Sequence, residues 1–341
     1  MAVATQTVRL GLLGLGKISP FHILNLKDVP GAQIAALIDV SADNLTRTVE
    51  TFPDLQDVPA YSDYRQALAS DLDGVIVMTP HALHYEQIHA ALEAGKHVLA
   101  EKPFVSRPEQ ARELIALAKE RGRILMLSYQ NALLWQYRYT HQQIAAGQLG
   151  EILYCSGQIT QDWARGVTDW RKGAAGEGGF LIDTGSHFVD LLLYLTGMQP
   201  DAVVAFSDTV GQPVDIVTGA VIRFNGGRVA TLATAGVGPT LWSITIIGER
   251  GTIELTDRDT IRHIGGDNYA GWIGTERRNL VPAEGQRPQG STPDAEFVAA
   301  IRRGDLDASN AARGLAVAHL TQAIYQSARE NGTPIAIPPI E

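Results

Sequence analysis

Cysteine occurs once in the 341 residues, at Cys155. One thiol cannot close an internal disulfide, and it excludes zinc or iron–sulfur sites built from several cysteines. Cys155 follows the apolar run Ile152-Leu153-Tyr154, which reads as strand, so a buried and inert thiol is expected. No apolar run approaches the roughly 20 residues that a membrane span needs. Met1 to Thr7 carries neither the charged nor the apolar region of a signal peptide, and a reduced, cytoplasmic setting is the expectation. Basic residues cluster no further than pairs such as Arg277-Arg278 and Arg302-Arg303, and the net charge is -9. Nucleic acid and anionic membrane are therefore not expected as partners. Internal repeats, low-complexity tracts and coiled-coil heptads are absent as well.

What the chain does have is the composition of a globular protein, 45% hydrophobic and 19% charged, at a length that suits two domains. Up to about residue 128 it alternates short apolar strands with amphipathic helices. Strands are expected at 8–13, 33–38, 74–78, 97–100 and 123–128. Helices are expected at 18–26, 42–50, 64–69, 84–94 and 108–121. Continuous apolar strands between helices imply a parallel sheet covered on both faces, doubly wound, with ligands outside the carboxyl ends of its strands. From residue 129 to 341 the pattern changes. A helix at 137–146, a long strand at 151–161 and a helical stretch at 179–195 lead into strand-rich sequence from 202 to 264. Asn225-Gly226-Gly227 and Gly248–Gly251 are hairpin signals, so this second domain is read as an antiparallel sheet. Residues 265–292 read as a loop, and two helices, 293–303 and 310–330, close the chain.

The first strand runs into Gly14-Leu15-Gly16-Lys17-Ile18-Ser19. Gly14 and Gly16 occupy the first two positions of a G-x-G-x-x-G turn, and Ser19 takes the place of the third glycine. The first glycine permits the turn, and the second lets backbone approach a pyrophosphate seated on the free N–H groups of the following helix. Asp39 ends the second strand at about the spacing, roughly 20 residues on, of a carboxylate that takes ribose hydroxyls. Such a group repels a 2′-phosphate, which favours NAD over NADP, although Arg47 lies nearby. Asp39 read as an N-cap for the helix near Ala42 is the alternative.

Three further groups bear chemistry. Glu101-Lys102-Pro103 ends a core strand, where Lys102 is able to reach a ligand; it is otherwise a surface lysine. Asp183-Thr184-Gly185-Ser186-His187 places an aspartate and a histidine four apart, on one face if helical. Gly178-Gly179 precedes them and would let a ligand come close to backbone. A histidine is suited to taking a hydroxyl proton near neutrality, and an aspartate to orienting it or binding a neighbouring hydroxyl. The pair read as a plain helical hydrogen bond is the alternative; a metal site would have only Asp190 as a further ligand. Thr79-Pro80-His81-Ala82-Leu83-His84 ends another strand. There Thr79, Pro80 and His84 read as cofactor-side residues and His81 as exposed. Candidate polar and stacking contacts for a polyol are Tyr129, Gln130, Asn131, Trp163, Arg165, Trp170 and Arg171, each of which also suits domain packing.

These segments together resemble the glucose–fructose oxidoreductase / inositol dehydrogenase (Gfo/Idh/MocA) family. The likeness lies in GLLGLGKIS with Asp39, VMTPHALHYEQIHAALEAGKHVLAEKPF, GEGGFLIDTGSHFVDLLLYLTG, IIGERGTIEL and AIYQSARENGTPIAI, and so covers nearly the whole chain. It implies an N-terminal Rossmann domain and a C-terminal α/β domain on a large open, mostly antiparallel sheet that mediates a homodimer or homotetramer. It implies Lys102 as the catalytic lysine, Asp183 as the substrate-site aspartate and His187 as the general acid/base. Gly14, Gly16, Lys17, Ile18, Asp39, Thr79, Pro80, His84, Glu101 and Lys102 would then face NAD. Ser19 and His81 depart from the residues usual in the family. The implied activity is NAD-dependent oxidation or reduction at a carbinol carbon of a sugar, anhydrosugar or cyclitol. The same groups would serve an NAD-dependent glycoside hydrolase that oxidises a ring carbon transiently. A catalytically silent sugar or NAD sensor is the remaining alternative, and the retained Lys102, Asp183 and His187 argue against it.

Overall fold

The computed structural model describes residues 7–173, 177–256, 260–265, 276–279 and 282–339. The reading of the first six residues and much of segment 265–292 lies outside these. The chain divides into two compact units, 1–130 with 291–315, and 131–290 with 316–341.

The first unit is built on six strands: β1 (Val8–Leu13), β2 (Ala32–Ile38), β3 (Ala60–Tyr61), β4 (Gly74–Val77), β5 (His97–Ala100) and β6 (Leu125–Leu127). Their order is β3-β2-β1-β4-β5-β6 and every pairing is parallel. This is the strand order of a dinucleotide-binding Rossmann sheet, in which the order of strand addition switches between β1 and β4. Strand β4 is buried at all four positions because helices cover both of its faces. Boundaries follow local chemistry. Ser41 and Asp63 cap the helices Ala42–Thr51 and Tyr64–Leu68, and Gly122, in the left-handed region, ends Pro108–Arg121. The helix Pro293–Arg303, capped by Thr292, belongs to this unit: Phe297, Val298 and Ala300 share its core with Leu10, Leu12, Leu37, Ile76 and Leu99. Full burial of a side chain the size of Phe297 stabilises by about 1.5–3 kcal/mol, so a helix nearly 200 positions away in sequence is a structural part of the nucleotide domain.

The second unit carries nine strands, β7 (Ile152–Thr160), β8 (Pro200–Asp208), β9 (Val217–Phe224), β10 (Val229–Ala235), β11 (Leu241–Gly248), β12 (Gly251–Thr256), β13 (Thr260–Gly265), β14 (Glu276–Asn279) and β15 (Ile335–Ala336). They order as β14-β13-β12-β11-β7-β10-β9-β8-β15, and all pairings are antiparallel except β7 with β10. Strict alternation gives the central strands one buried face. Ala220, Ile222, Leu232, Cys155, Ile244 and Ile246 are buried, whereas the row Val204, Val221, Thr231, Ser156, Thr245 and Glu254 on the other face is partly or fully exposed. Helix Ser186–Thr196 lies on the buried face, where the Phe188 ring occupies the space above Gly157. A Cβ added at Gly157 would fall 1.4 Å from that ring.

Two expectations need correction. Residues 265–292 are not simply a loop, because Glu276–Asn279 pairs antiparallel with β13. The strand sequence Glu-Arg-Arg-Asn has no apolar alternation, so only its ladder partner reveals it. The stretch 179–195 is not one continuous α-helix. Gly179 has φ +133°, a π-helical turn covers Leu181–Gly185, and the α-helix runs from Ser186 to Thr196.

Candidate active site

In the first unit, the turn after β1 is set by Gly14, whose φ is +94°. A Cβ there would lie 2.8 Å from Thr79 Cγ2 and 2.9 Å from the carbonyl carbon of Met78, so no other residue fits beside the end of β4. Gly16 meets nothing within 4 Å, leaving its backbone open on that side. The helix Ser19–Lys27 starts at Ile18 without a side-chain cap, and Lys17 is exposed beside it. Ser19 is buried, and its hydroxyl donates to Gly16 O at 2.8 Å, closing the turn on itself. Asp39 accepts from Leu15 N (2.7 Å), Ser41 N (2.8 Å) and Asn44 Nδ2 (3.0 Å), so its carboxylate ties the glycine turn to the end of β2. The cap of the following helix is Ser41 rather than Asp39. Arg47 Nη2 donates to Asn44 Oδ1 at 2.6 Å.

Beyond β4, Thr79 and Pro80 are half-buried, and Thr79 Oγ1 donates to Gln87 Oε1. His84 is fully buried, with Nε2 2.9 Å from Thr79 O and Nδ1 2.9 Å from Pro103 O and 3.2 Å from Phe104 O. Burial pushes its pKa down, against the pull of those carbonyls. Its ring thus staples the Thr79 loop to the segment after Lys102, with neither nitrogen turned to a ligand. His81, expected to be exposed, is buried instead, its ring 5.8 Å from that of His84.

The strand end at Glu101-Lys102 rests on a network that the sequence reading missed. His22 sits between two carboxylates, with Nδ1 2.7 Å from Asp294 Oδ1 and Nε2 3.1 Å from Glu101 Oε1. Asn25 Nδ2 donates to Asp294 Oδ2 at 2.8 Å, and Lys102 N donates to Glu101 Oε2 at 3.3 Å. Burial alone would lower the His22 pKa; the hydrogen bonds to Asp294 and Glu101 outweigh it and raise the value to about 10. Burial alone would raise that of Glu101; the His22 hydrogen bond and charge, then the Lys102 charge, bring it down to about 2. Positions 22 and 294 are 272 apart in sequence, and no local pattern links them. Lys102 itself is half-buried, and Tyr129 is buried.

In the second unit, Gly178 and Gly179 admit the chain's own groups, rather than the ligand expected from the sequence. A Cβ at Gly178 would meet Arg171 O at 1.8 Å, and one at Gly179 would meet Asp215 Oδ1 at 2.1 Å. Asp215 accepts from Leu181 N (2.9 Å) and from the Tyr325 hydroxyl (2.7 Å), and Ile182 N donates back to that hydroxyl oxygen (3.2 Å). Burial raises the pKa of Asp215 from its ordinary value, although the Leu181 and Tyr325 bonds oppose it. Asp215 and Tyr325 thereby hold the start of the π-helical turn that carries Asp183. Such turns recur at functional sites.

Asp183 is buried. Its Oδ2 accepts from Trp163 Nε1 at 2.8 Å and lies 3.6 Å from Arg171 Nε. Arg171 also pairs with Asp169 at 2.8 Å and stacks 4.6 Å above the Trp170 ring. Trp163, Trp170, Arg171 and Asp183, four of the sequence candidates, therefore form one cluster. His187, in the first turn of the α-helix that follows, is half-buried. Arg165 lies outside the cluster, with its side chain 87% exposed and 3.7 Å from Asp162. Asn131 is buried.

Residues 8–129 match the family model described as oxidoreductase family, NAD-binding Rossmann fold, and residues 137–254 match that of the GFO/IDH/MocA C-terminal domain. The chain belongs to the Gfo/Idh/MocA oxidoreductase family. Among curated relatives it is 30% identical over 202 residues to the uncharacterized oxidoreductase YdgJ of Escherichia coli K12, covering 59% of this chain and 57% of that one. It is 32% identical over 201 residues to the scyllo-inositol 2-dehydrogenase (NADP(+)) IolW of Bacillus subtilis 168, covering 59% and 54%. The chain thus matches little more than half the length of these two relatives. A solved structure of levoglucosan dehydrogenase in complex with NADH and L-sorbose superposes with a TM-score of 0.86 over 98% of this chain and 100% of that one, at 23% identity, a likeness of fold. Among the described residues no helix is long and apolar enough to cross a membrane.

The residues at the glycine turn fit the NAD that the family binds. Gly14 makes the turn and Gly16 brings open backbone to an uncapped helix start, the place for a pyrophosphate. Asp39 keeps one carboxylate lone-pair direction beyond its three donors.

Proposed function

We propose that this member of the Gfo/Idh/MocA family is an NAD-dependent dehydrogenase of a sugar, anhydrosugar or cyclitol, acting at a carbinol carbon. The observation that carries the reading is the Asp183 carboxylate, fixed by Trp163 and Arg171 and one turn before His187. A buried carboxylate held in place by an indole N–H and a guanidinium, among aromatic side chains, suits the directed recognition of hydroxyl groups that a polyol requires. NAD, with its pyrophosphate held at the glycine turn, would supply two-electron hydride chemistry. Gly14, Gly16, Lys17 and Ile18 cradle the cofactor's phosphates, and Asp39 favours NAD through the ribose. Thr79 and Pro80 line the cofactor side. His187 takes or returns the hydroxyl proton, and the Lys102 cation stabilises negative charge that develops on that oxygen. Tyr129, Asn131, Trp163, Trp170 and Arg171 shape the substrate side. The partly exposed row of the second unit's sheet, which includes Val221, is a self-association face suited to a homodimer or homotetramer.

The test is a screen for NADH formation against free sugars, anhydrosugars, inositols, sugar acids and aryl glycosides, with NAD and NADP in parallel. Turnover of a neutral polyol with NAD supports the reading. Release of an aglycone without net NADH would move the chain to redox-neutral glycoside cleavage, and failure to turn over or bind any of them would remove the assignment.

A further inference from the structure

His22 lies on the first helix after the glycine turn, with its ring wholly shielded from solvent and a carboxylate oxygen against each nitrogen. A neutral imidazole has one N–H. It can donate to Asp294 or to Glu101, and the remaining nitrogen would then turn a lone pair on a carboxylate. With both carboxylates ionised, the two contacts are satisfied together only by an imidazolium. The groups around the ring support this. Asp294 comes from the helix Pro293–Arg303, with Asn25 on its second oxygen. Glu101 comes from the end of β5, held on its other oxygen by Lys102 N. Phe21 meets the His22 ring edge-on at 5.5 Å. Two further titratable groups interact electrostatically with Glu101, Lys102 beside it and the buried His84.

We propose that His22 is a positioning residue: a buried imidazolium that locks Glu101 and so fixes the backbone from which Lys102 reaches the substrate. The inference rests on the assignment of Lys102 under the proposed function. It gives the helix that opens the cofactor turn a direct mechanical link to the lysine, through one ring. Glu101 is then a strut with a neutralising partner, and its charge does not fall on Lys102 alone.

Two measurements test this, one of them independent of activity. In the full-length protein, the ¹⁵N shifts of His22 report its protonation. Both nitrogens are expected to stay protonated from pH 5 to 9 in the wild type, and in Asp294→Asn the ionisation is expected to move down into that range. A neutral His22 in the wild type at pH 7 would overturn the proposal. Second, kcat of Asp294→Asn, on the substrate the screen identifies, is expected to fall as pH rises through the shifted ionisation, by about tenfold or more, while KM for NAD changes less than threefold. A purely structural role would lower the melting temperature and leave the shape of the kcat–pH profile unchanged, which would also overturn it. Full activity in Lys102→Met, with the His22 shifts as expected, would instead remove the role of Lys102 and leave the imidazolium standing.

Discussion

In the nucleotide-binding unit, two buried carboxylates, Glu101 and Asp294, share a cation between them. In the second unit, Asp215 is a buried carboxylate whose donors Leu181 N–H and the Tyr325 hydroxyl are both neutral. Each supports a segment that carries a proposed catalytic group, Lys102 in one case and the Asp183 turn in the other. The electrostatic consequences are opposite. The cation holds Glu101 down at about 2, whereas burial without a cation raises Asp215. The first arrangement depends on ionisation, because two carboxylates cannot be satisfied by one neutral ring. The second depends on acceptor geometry, and its charge is a burden that the surrounding donors only partly offset.

That contrast can be broken most sharply at the chemistry itself. His187→Ala is expected to lower turnover by ~100- to 10 000-fold, the range for loss of a general acid/base. Lys102→Met is expected to lose ~100- to 1000-fold, as when an oxyanion-stabilising group is removed. Both should retain NAD binding by fluorescence titration, and near-wild-type rates in either would separate its scaffold from function.

Stability comes next. His22→Gln leaves two buried carboxylates without their cation and is expected to cost about 3–5 kcal/mol. Glu101 is depressed from its ordinary value of 4.5 to about 2, so its contribution is complete above pH 4.5 and lost as pH falls towards 2. His22 is raised from 6.5 to about 10, so its contribution is complete below pH 6.5 and lost as pH rises through 10. The difference in melting temperature between wild type and His22→Gln should therefore peak near pH 5–6 and narrow towards both extremes. A pH-independent difference would mean that packing, not charge, holds the network.

The smallest effect is expected in the second unit. Because the folded pKa of Asp215 is raised, its stabilising contribution belongs to low pH and declines as the group ionises. Asp215→Asn keeps an acceptor and removes the buried charge, and should change stability by less than about 1 kcal/mol at pH 7. Asp215→Ala strands the Leu181 N–H and the Tyr325 hydroxyl and should cost about 1–3 kcal/mol. Equal losses in both variants would make the two units alike after all.

The fold was largely legible because its signals are local. Apolar runs of four to six residues mark β1, β4 and β5, and alternation marks β9 to β12, each over a few consecutive positions. The strands that escaped, Ala60–Tyr61, Glu276–Asn279 and Ile335–Ala336, are too short or too polar to carry a pattern, and exist through their neighbours. At the site, Gly14 and Asp39 could be read because a turn and a strand end are one-dimensional features. The His22–Asp294 contact could not, since it joins residues whose separation encodes nothing. Gly179 shows a subtler failure. A glycine pair before an Asp–His motif signals close approach, but only coordinates reveal that the approaching atom is the carboxylate of Asp215. The π-helical turn at Leu181–Gly185 was equally hidden, because its residues differ little from those of an α-helix.

The proposed function requires one concerted step, in which Lys102 and His187 act on the same oxygen. Its most direct test is the double variant Lys102→Met/His187→Ala, assayed beside the two single variants on whichever polyol the wild type turns over. Groups that work as a unit are strongly non-additive, so the double variant should be about as slow as the worse single one. Losses that multiply across the two substitutions would show that the two residues contribute independently, and would contradict the account.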